Sequence, residues 1–228
     1  KAGLFTPDGE LLEDRKVPTP ELVSPEAFAT VTSAITQLLA DHGAAPADVI
    51  ACGLDVPGPV ADDGTLGIIA NVELDPKGFV AAFKEAFPEA VVAFVNDANA
   101  AALGEMWVGA AKGVTSCVVI AVGTGVGAGV IANGRLVAGA FGAAGEAGHV
   151  TVNREETRVC GCGRRGCLEQ YASAQGIVHA YLAECERRGV EPAHVEHATD
   201  TLSGFGALAK GDECAKFAVD QMCDYLGL

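Results

Sequence analysis

GEAGHVTVNREETRVCGCGRRGCLEQ, Gly145 to Gln170, carries three of the chain's eight cysteines, Cys160, Cys162 and Cys167, downstream of His149. Structural zinc sites favour four ligands drawn from Cys and His. The order here is His149, ten residues, Cys160, one, Cys162, four, Cys167. Gly161, Gly163 and Gly166 are expected to supply the positive φ angles that let so short a loop wrap one ion. A disulfide is the weaker reading, because Cys160 and Cys162 stand too close for an unstrained bridge and an odd thiol is left over. No Cys-x-x-Cys redox motif is present. With all four positions filled by protein, the metal is read as structural. It holds a loop, and two carboxylates, Glu146 and Glu169, bracket that loop.

The rest of the composition agrees with a reduced globular protein. Half of the 228 residues are hydrophobic and 20% are charged, ample material for a core. Cys52, Cys117, Cys185, Cys214 and Cys223 lie singly in apolar or helical surroundings, as reduced core thiols do, so a cytoplasmic location is expected. The formal net charge of -15 repels nucleic-acid phosphates and anionic lipid. It leaves room for a nucleotide held by a local nest of backbone N–H groups. Gly113 to Gly134 is uncharged for 22 residues, long enough for a spanning helix. Glycines at 123, 125, 127 and 129 and the run Val118-Val119-Ile120 argue against that.

Along the chain, two strands are expected around a Pro7-Asp8-Gly9 turn. A helix follows from Ser24 to Asp41, with Ser24 as N-cap. Val49–Val56 and Val91–Val95 read as buried strands, and Pro76–Phe87 and Asp97–Ala110 as helices. Ser116–Val122 and Val126–Ala132 read as strands, and Ala172–Arg188, Ser203–Lys210 and Asp212–Leu226 as helices. Strand–helix alternation, then a hairpin, then helices, gives two α/β lobes, here divided as 1–112 and 113–228.

Two further motifs carry chemistry. Asn96 and Asp97 fall where a buried strand hands over to a helix, the end of an α/β sheet at which ligands sit. Asn and Asp are also preferred N-caps, so capping and proton abstraction from a substrate hydroxyl both account for the pair. AVGTGVGAG, from Ala121, follows one strand and opens another. It lacks Gly-Lys-Ser/Thr and a following helix, so it is neither a P-loop nor a dinucleotide fingerprint. A tight hairpin and a phosphate cradle both fit it. Glu146 and Glu169 are likewise open to bland readings, as a helix-start charge and a solvated surface residue.

Taken together, GLDVPGPV (53–60), NDANAAALGE (96–105), GTGVGAG (123–129), GEAGHV (145–150) and CGCGRRGCLEQYAS (160–173) resemble the ROK family of repressors and sugar kinases. The resemblance covers most of the chain in the right order. It implies an α/β fold of the actin-like ATPase (ribonuclease H-like) kind, two-lobed, with a zinc-binding loop. It also implies that the chain is truncated at both ends, lacking the first phosphate loop and a late glycine pair. The implied activity is ATP-dependent phosphorylation of the 6-hydroxyl of D-glucose, with Mg²⁺ accompanying ATP. Asp97 would be the general base. Asn71, Asn96, Glu146, His149 and Glu169 would contact the sugar, and His149 would also ligate zinc. Gly123, Thr124, Gly125 and Gly127 would lie near the ATP phosphates. The segment around Asn71 departs from the family's Pro-Asn-Leu-x-Trp pattern. A kinase for another hexose or for N-acetylmannosamine, a polyphosphate donor, and a sugar-responsive repressor share these motifs. A non-catalytic zinc module would leave Asn96, Asp97 and the glycine loop unexplained. A homo-oligomer binding sugar and ATP, with no nucleic acid and no membrane, is expected.

Overall fold

The computed structural model describes residues 1–17, 19–67, 69, 73–192 and 211–227. Asn71 and the helix expected over Ser203–Lys210 lie outside the described residues. The chain forms two compact units: Lys1–Cys117 with Val130–Ala144, and Val118–Gly129 with Gly145–Leu228. The expected boundary at 112/113 lies close to the end of the first segment. The return of Val130–Ala144 to the first unit was not part of that expectation.

In the first unit, β1 (Ala2–Phe5) and β2 (Leu11–Arg15) pair antiparallel, with Ala2 opposite Arg15. Their connection closes where Gly9 N–H donates to the Thr6 carbonyl at 2.9 Å. Helix α1 (Pro25–Asp41) starts on Ser24, whose Oγ accepts the Ala27 N–H at 3.3 Å. Next come β3 (Ala51–Val56), α2 (Pro76–Ala86) and β4 (Val91–Asn96). β3 and β4 pair parallel, Ala51 with Val91 through to Val56 with Asn96. A parallel pair needs a crossover, and α2 lies within it. The register sets both carboxyl ends side by side, so Asn96 lies opposite Val56 where α3 (Asp97–Trp107) begins. The Phe28, Phe79, Phe83 and Phe87 rings run in series through the core at 5.6, 4.9 and 5.8 Å between centroids. Phe83 and Phe87 are fully buried, and truncating either to Ala would cost about 3–5 kcal/mol.

The sequence reading extended α3 to Ala110, but the helix stops at Trp107. Glu105 explains the early stop: its Oε2 accepts the Ala110 N–H at 2.7 Å and draws the chain off the helix axis.

β5 (Cys117–Val122), β6 (Val126–Ala132) and β7 (Arg135–Leu136) form a sheet in that order. β7 was not anticipated, although Asn133-Gly134 signals it: both residues adopt positive φ, 52° and 74°, as a two-residue hairpin turn requires. The uncharged stretch from Gly113 to Gly134 therefore lies largely in strands. No helix among the described residues is long and apolar enough to cross a membrane.

In the second unit the helix expected over Ala172–Arg188 is present as α5 (Ala174–Arg188), and a short helix not anticipated, α4 (Glu169–Ala172), precedes it. Ser173 separates them: its backbone is extended, and its Oγ accepts the Gly176 N–H at 3.1 Å as the cap of α5. Helix α6 (Glu213–Leu226) is capped by Asp212. Ile177, Tyr181 and Cys185 of α5 pack on Cys214, Ala215 and Ala218 of α6. Tyr171 of α4 stacks on Tyr225 of α6 with ring centroids 4.1 Å apart.

Candidate functional site

In the second unit the donor atoms of His149, Cys160, Cys162 and Cys167 all lie within 4.8 Å of one another. Cys160 Sγ stands 3.7 Å from His149 Nδ1, and Cys162 Sγ 3.7 Å from Cys167 Sγ. Two sulfurs each about 2.3 Å from a tetrahedral ion stand roughly 3.8 Å apart. The spacing and the three-thiol, one-imidazole donor set both fit zinc. All eight cysteines are free, and none is in a disulfide. Burial, helped by the neighbouring Cys162 and Cys167 thiols, pushes the Cys160 thiol up to about 12. A metal bound there would displace that proton.

Backbone close approaches shape the loop. Gly145 has φ +86°, and a Cβ on it would stand 2.1 Å from the Ala128 carbonyl oxygen. A Cβ on Gly148 would stand 2.0 Å from the Val126 carbonyl oxygen. The segment carrying Glu146 and His149 therefore lies directly on β6. Gly166, at φ +70°, abuts the Asn153 carbonyl. Gly163 also takes the expected positive φ, but Gly161 does not. The turn closes instead through Gly163 N–H to the Cys160 carbonyl, 2.8 Å, and Cys160 N–H to the Arg164 carbonyl, 2.7 Å. Arg164 Nη2 donates to the His149 carbonyl.

The imidazole has two faces. Nδ1 belongs to the thiol cluster, and Nε2 lies 3.9 Å from Glu146 Oε2. Glu146 is the N-cap residue of a single 3₁₀ turn (Ala147–His149), and its side chain makes no cap bond there. Glu169 is half-buried, not a solvated surface residue. Its Oε1 lies 3.8 Å from Cys160 Sγ, and its Oε2 accepts the Val126 N–H at 3.1 Å. That bond ties α4 to the glycine loop. A second tie runs from Ala174 N–H to the Gly123 carbonyl, 2.8 Å. Thr124 and Gly123 are exposed.

Two glycines give contrasting expectations. A Cβ on Gly125 would meet only the tip of Glu169, 2.3 Å from Oε2. Gly125→Ala should therefore swing that carboxylate aside, leaving the melting temperature within a few degrees but weakening whatever Glu169 binds. Gly148→Ala meets backbone at Val126, which does not yield. It should lower the melting temperature and the metal content together, as differential scanning calorimetry and elemental analysis would record.

Sequence reading missed the bracket behind the Cys/His cluster. The Glu156 carboxylate takes two hydrogen bonds from Arg158, at 3.0 and 2.5 Å, and one from the Tyr171 hydroxyl at 2.6 Å. Arg158 holds the Glu156 carboxyl down at about 2 against the opposing effect of burial, and Tyr171 adds to this. The folded value lies below the unfolded one, so the stabilisation is full above about pH 4.5 and fades as pH falls toward 2. Glu156→Gln should flatten the loss of stability between pH 5 and 3, measured by urea melts.

In the first unit Asn96 is the N-cap of α3, and its Oδ1 accepts the Asn99 N–H at 3.1 Å. Its Nδ2 donates to the Gly58 carbonyl at 3.3 Å and to Asp97 Oδ1 at 3.2 Å. Asp97 Oδ1 also accepts the Ala98 N–H at 2.8 Å. Asp97 is exposed, and its Oδ2 takes no hydrogen bond from the described residues. Capping thus falls to Asn96, and Asp97 keeps an oxygen available. Asn99, inside the same motif, was not singled out from the sequence. It is 2% exposed, and its Oδ1 is unpartnered among the described residues.

A family model described as the ROK family matches residues 1–228. A glucokinase of Halalkalibacterium halodurans is 35% identical over 233 residues, covering 100% of this chain and 70% of that protein. A xylose repressor of Caldicellulosiruptor bescii is 30% identical over 188 residues, covering 80% of this chain and 46% of that protein. The crystal structure of a ROK family glucokinase from Streptomyces griseus, in complex with glucose and AMPPNP, aligns with a TM-score of 0.74 at 28% identity. That alignment covers 99% of this chain and 72% of the solved one. With the motifs at 53–60, 96–105, 123–129, 145–150 and 160–173 in order along an α/β chain that superposes on its members, this chain belongs to the ROK family and has its actin-like ATPase fold.

Proposed function

We propose that the protein is an ATP-dependent sugar kinase that phosphorylates the 6-hydroxyl of D-glucose. The observation that carries this reading is the Asp97 carboxylate, at the carboxyl end of β4, with Oδ1 fixed by two donors and Oδ2 open. Asp97 Oδ2 takes the proton of the sugar hydroxyl as its oxygen attacks the terminal phosphorus of ATP. ADP leaves, and glucose 6-phosphate and one proton are the other products. Phosphoryl transfer needs little covalent help, so positioning decides the rate. Asn96, Glu146, Glu169 and the Nε2 face of His149 hold the remaining hydroxyls, with Asn71 as a further contact. Each carboxylate accepts from two hydroxyls, and a sugar lacking one leaves a polar group unpaired, which supports discrimination. Gly123, Thr124, Gly125 and Gly127 offer small residues and backbone N–H groups to the phosphates. Mg²⁺, arriving with ATP, supplies charge neutralisation. Zinc on His149, Cys160, Cys162 and Cys167 supplies a fixed loop. We assign the protein to the cytoplasm as a homo-oligomer. Its net charge of -15 supports the absence of nucleic-acid and membrane partners.

A coupled assay of the full-length protein with ATP, Mg²⁺ and a hexose panel, watching ADP release, tests the reading. Turnover on glucose alone fixes the substrate. Turnover on another hexose or on N-acetylmannosamine keeps the mechanism and moves the substrate. No turnover despite bound zinc would favour a polyphosphate donor or the second reading, a sugar-responsive repressor, which the similarity to the xylose repressor supports.

A further inference from the structure

The ten residues between His149 and Cys160 decide whether the imidazole and the thiols meet. Side-chain hydrogen bonds close that stretch onto α4. Gln170 is a clamp: its Oε1 accepts the Cys167 N–H at 3.1 Å and its Nε2 donates to the Arg158 carbonyl at 3.1 Å. It thereby joins the backbone of Cys167 to the loop segment leading into Cys160. Tyr171 is a second clamp, 5% exposed. Its hydroxyl donates to Glu156 Oε2 at 2.6 Å and accepts from Asn153 Nδ2 at 3.0 Å. Glu156 in turn fixes its own turn, because Oε1 accepts the Thr157 and Arg158 N–H groups, both at 2.9 Å. The Arg158 guanidinium completes the bracket, 5.5 Å from the Tyr171 ring centroid. Gln170 and Tyr171 directly follow Glu169 in α4, so the same clamps fix the start of the helix that presents Glu169.

We infer that Glu156, Gln170 and Tyr171 are positioning residues that preform the Cys/His cluster and so set its metal affinity, touching neither the metal nor the sugar. The inference rests on reading the cluster as a metal site. A loop ordered only by its metal must surrender the ordering free energy from the binding free energy, whereas a preformed one need not. Partners behind the ligands typically tune metal affinity by roughly 10–100-fold.

The test is zinc affinity of the full-length protein, by chelator competition, in Tyr171→Phe and Glu156→Ala. Glu156→Gln, which keeps both acceptor oxygen and size, is the milder variant should Glu156→Ala fail to fold. Tyr171→Phe and Glu156→Ala should each bind zinc at least roughly tenfold more weakly. Glu156→Gln should recover part of that loss, and the double variant should lose less than the two single losses combined. Cobalt(II) in place of zinc should give the same thiolate charge-transfer and ligand-field spectrum in each variant, showing the ligand set intact. Zinc affinity within twofold of the parent in Tyr171→Phe overturns the inference. A changed cobalt spectrum overturns it too, because a ligand would then have been lost. A parent protein that binds no zinc overturns both this inference and the metal reading beneath it.

Discussion

Replacing Asp97 with Asn in the full-length protein lowers turnover of glucose and ATP by about 10²–10⁴-fold and leaves glucose affinity nearly unchanged. The substitution is well suited to isolate proton transfer. Asp97 opens α3, but Asn96 supplies the cap. The Oδ1 of an Asn at position 97 still accepts the Ala98 N–H, so the helix start is kept. Only Oδ2 changes, from a carboxylate oxygen able to take a proton to an amide nitrogen that cannot. A static polar role for Asp97 would show itself as a raised KM with kcat preserved. The measurement is steady-state kinetics beside calorimetric glucose binding. Turnover equal to the parent's removes Asp97 as base.

What the sequence made legible follows from how far each signal reaches along the chain. The Ser24 cap and the individual strands and helices of the first unit are announced by residues within a few positions of one another. The parallel β3–β4 pair is not, because it sets Ala51 beside Val91. The three cysteines sit on one short loop, and the Cys/His composition of that stretch points to the four side chains whose donor atoms converge. The expected helix start at Ala172 falls one residue before the true cap, Ser173, whose extended backbone is followed by an Ala174 N–H bonded to the distant Gly123 carbonyl. Gly145, Gly148 and Gly166 are glycine because carbonyls of Ala128, Val126 and Asn153 press on them. No periodicity in the sequence records such contacts. The same holds for Tyr171 and Glu156, which meet as hydroxyl and carboxylate only after the intervening loop has folded back.

Cys162→Ala should strip the protein of zinc and lower kcat/KM for glucose by on the order of 10²-fold, the loss expected when reacting groups shift by about 1 Å. Cys162 is the informative ligand because it alone of the three cysteines is exposed, whereas Cys160 and Cys167 are buried. Truncating it removes one donor and almost no packing, so the fold should survive and the defect reports on the metal. The route proposed from metal to sugar runs through two side chains. His149 puts Nδ1 into the cluster and turns Nε2 toward Glu146. Glu169 puts Oε1 beside Cys160 and Oε2 on the glycine loop. Loss of the fourth ligand should therefore disturb the groups proposed for both substrates, and KM for ATP should rise along with KM for glucose. A defect confined to glucose would confine the metal's role to the sugar floor and make the Glu169–Val126 bond incidental. One zinc per chain retained by the variant, with kinetics unchanged, would show that Cys162 is not a ligand.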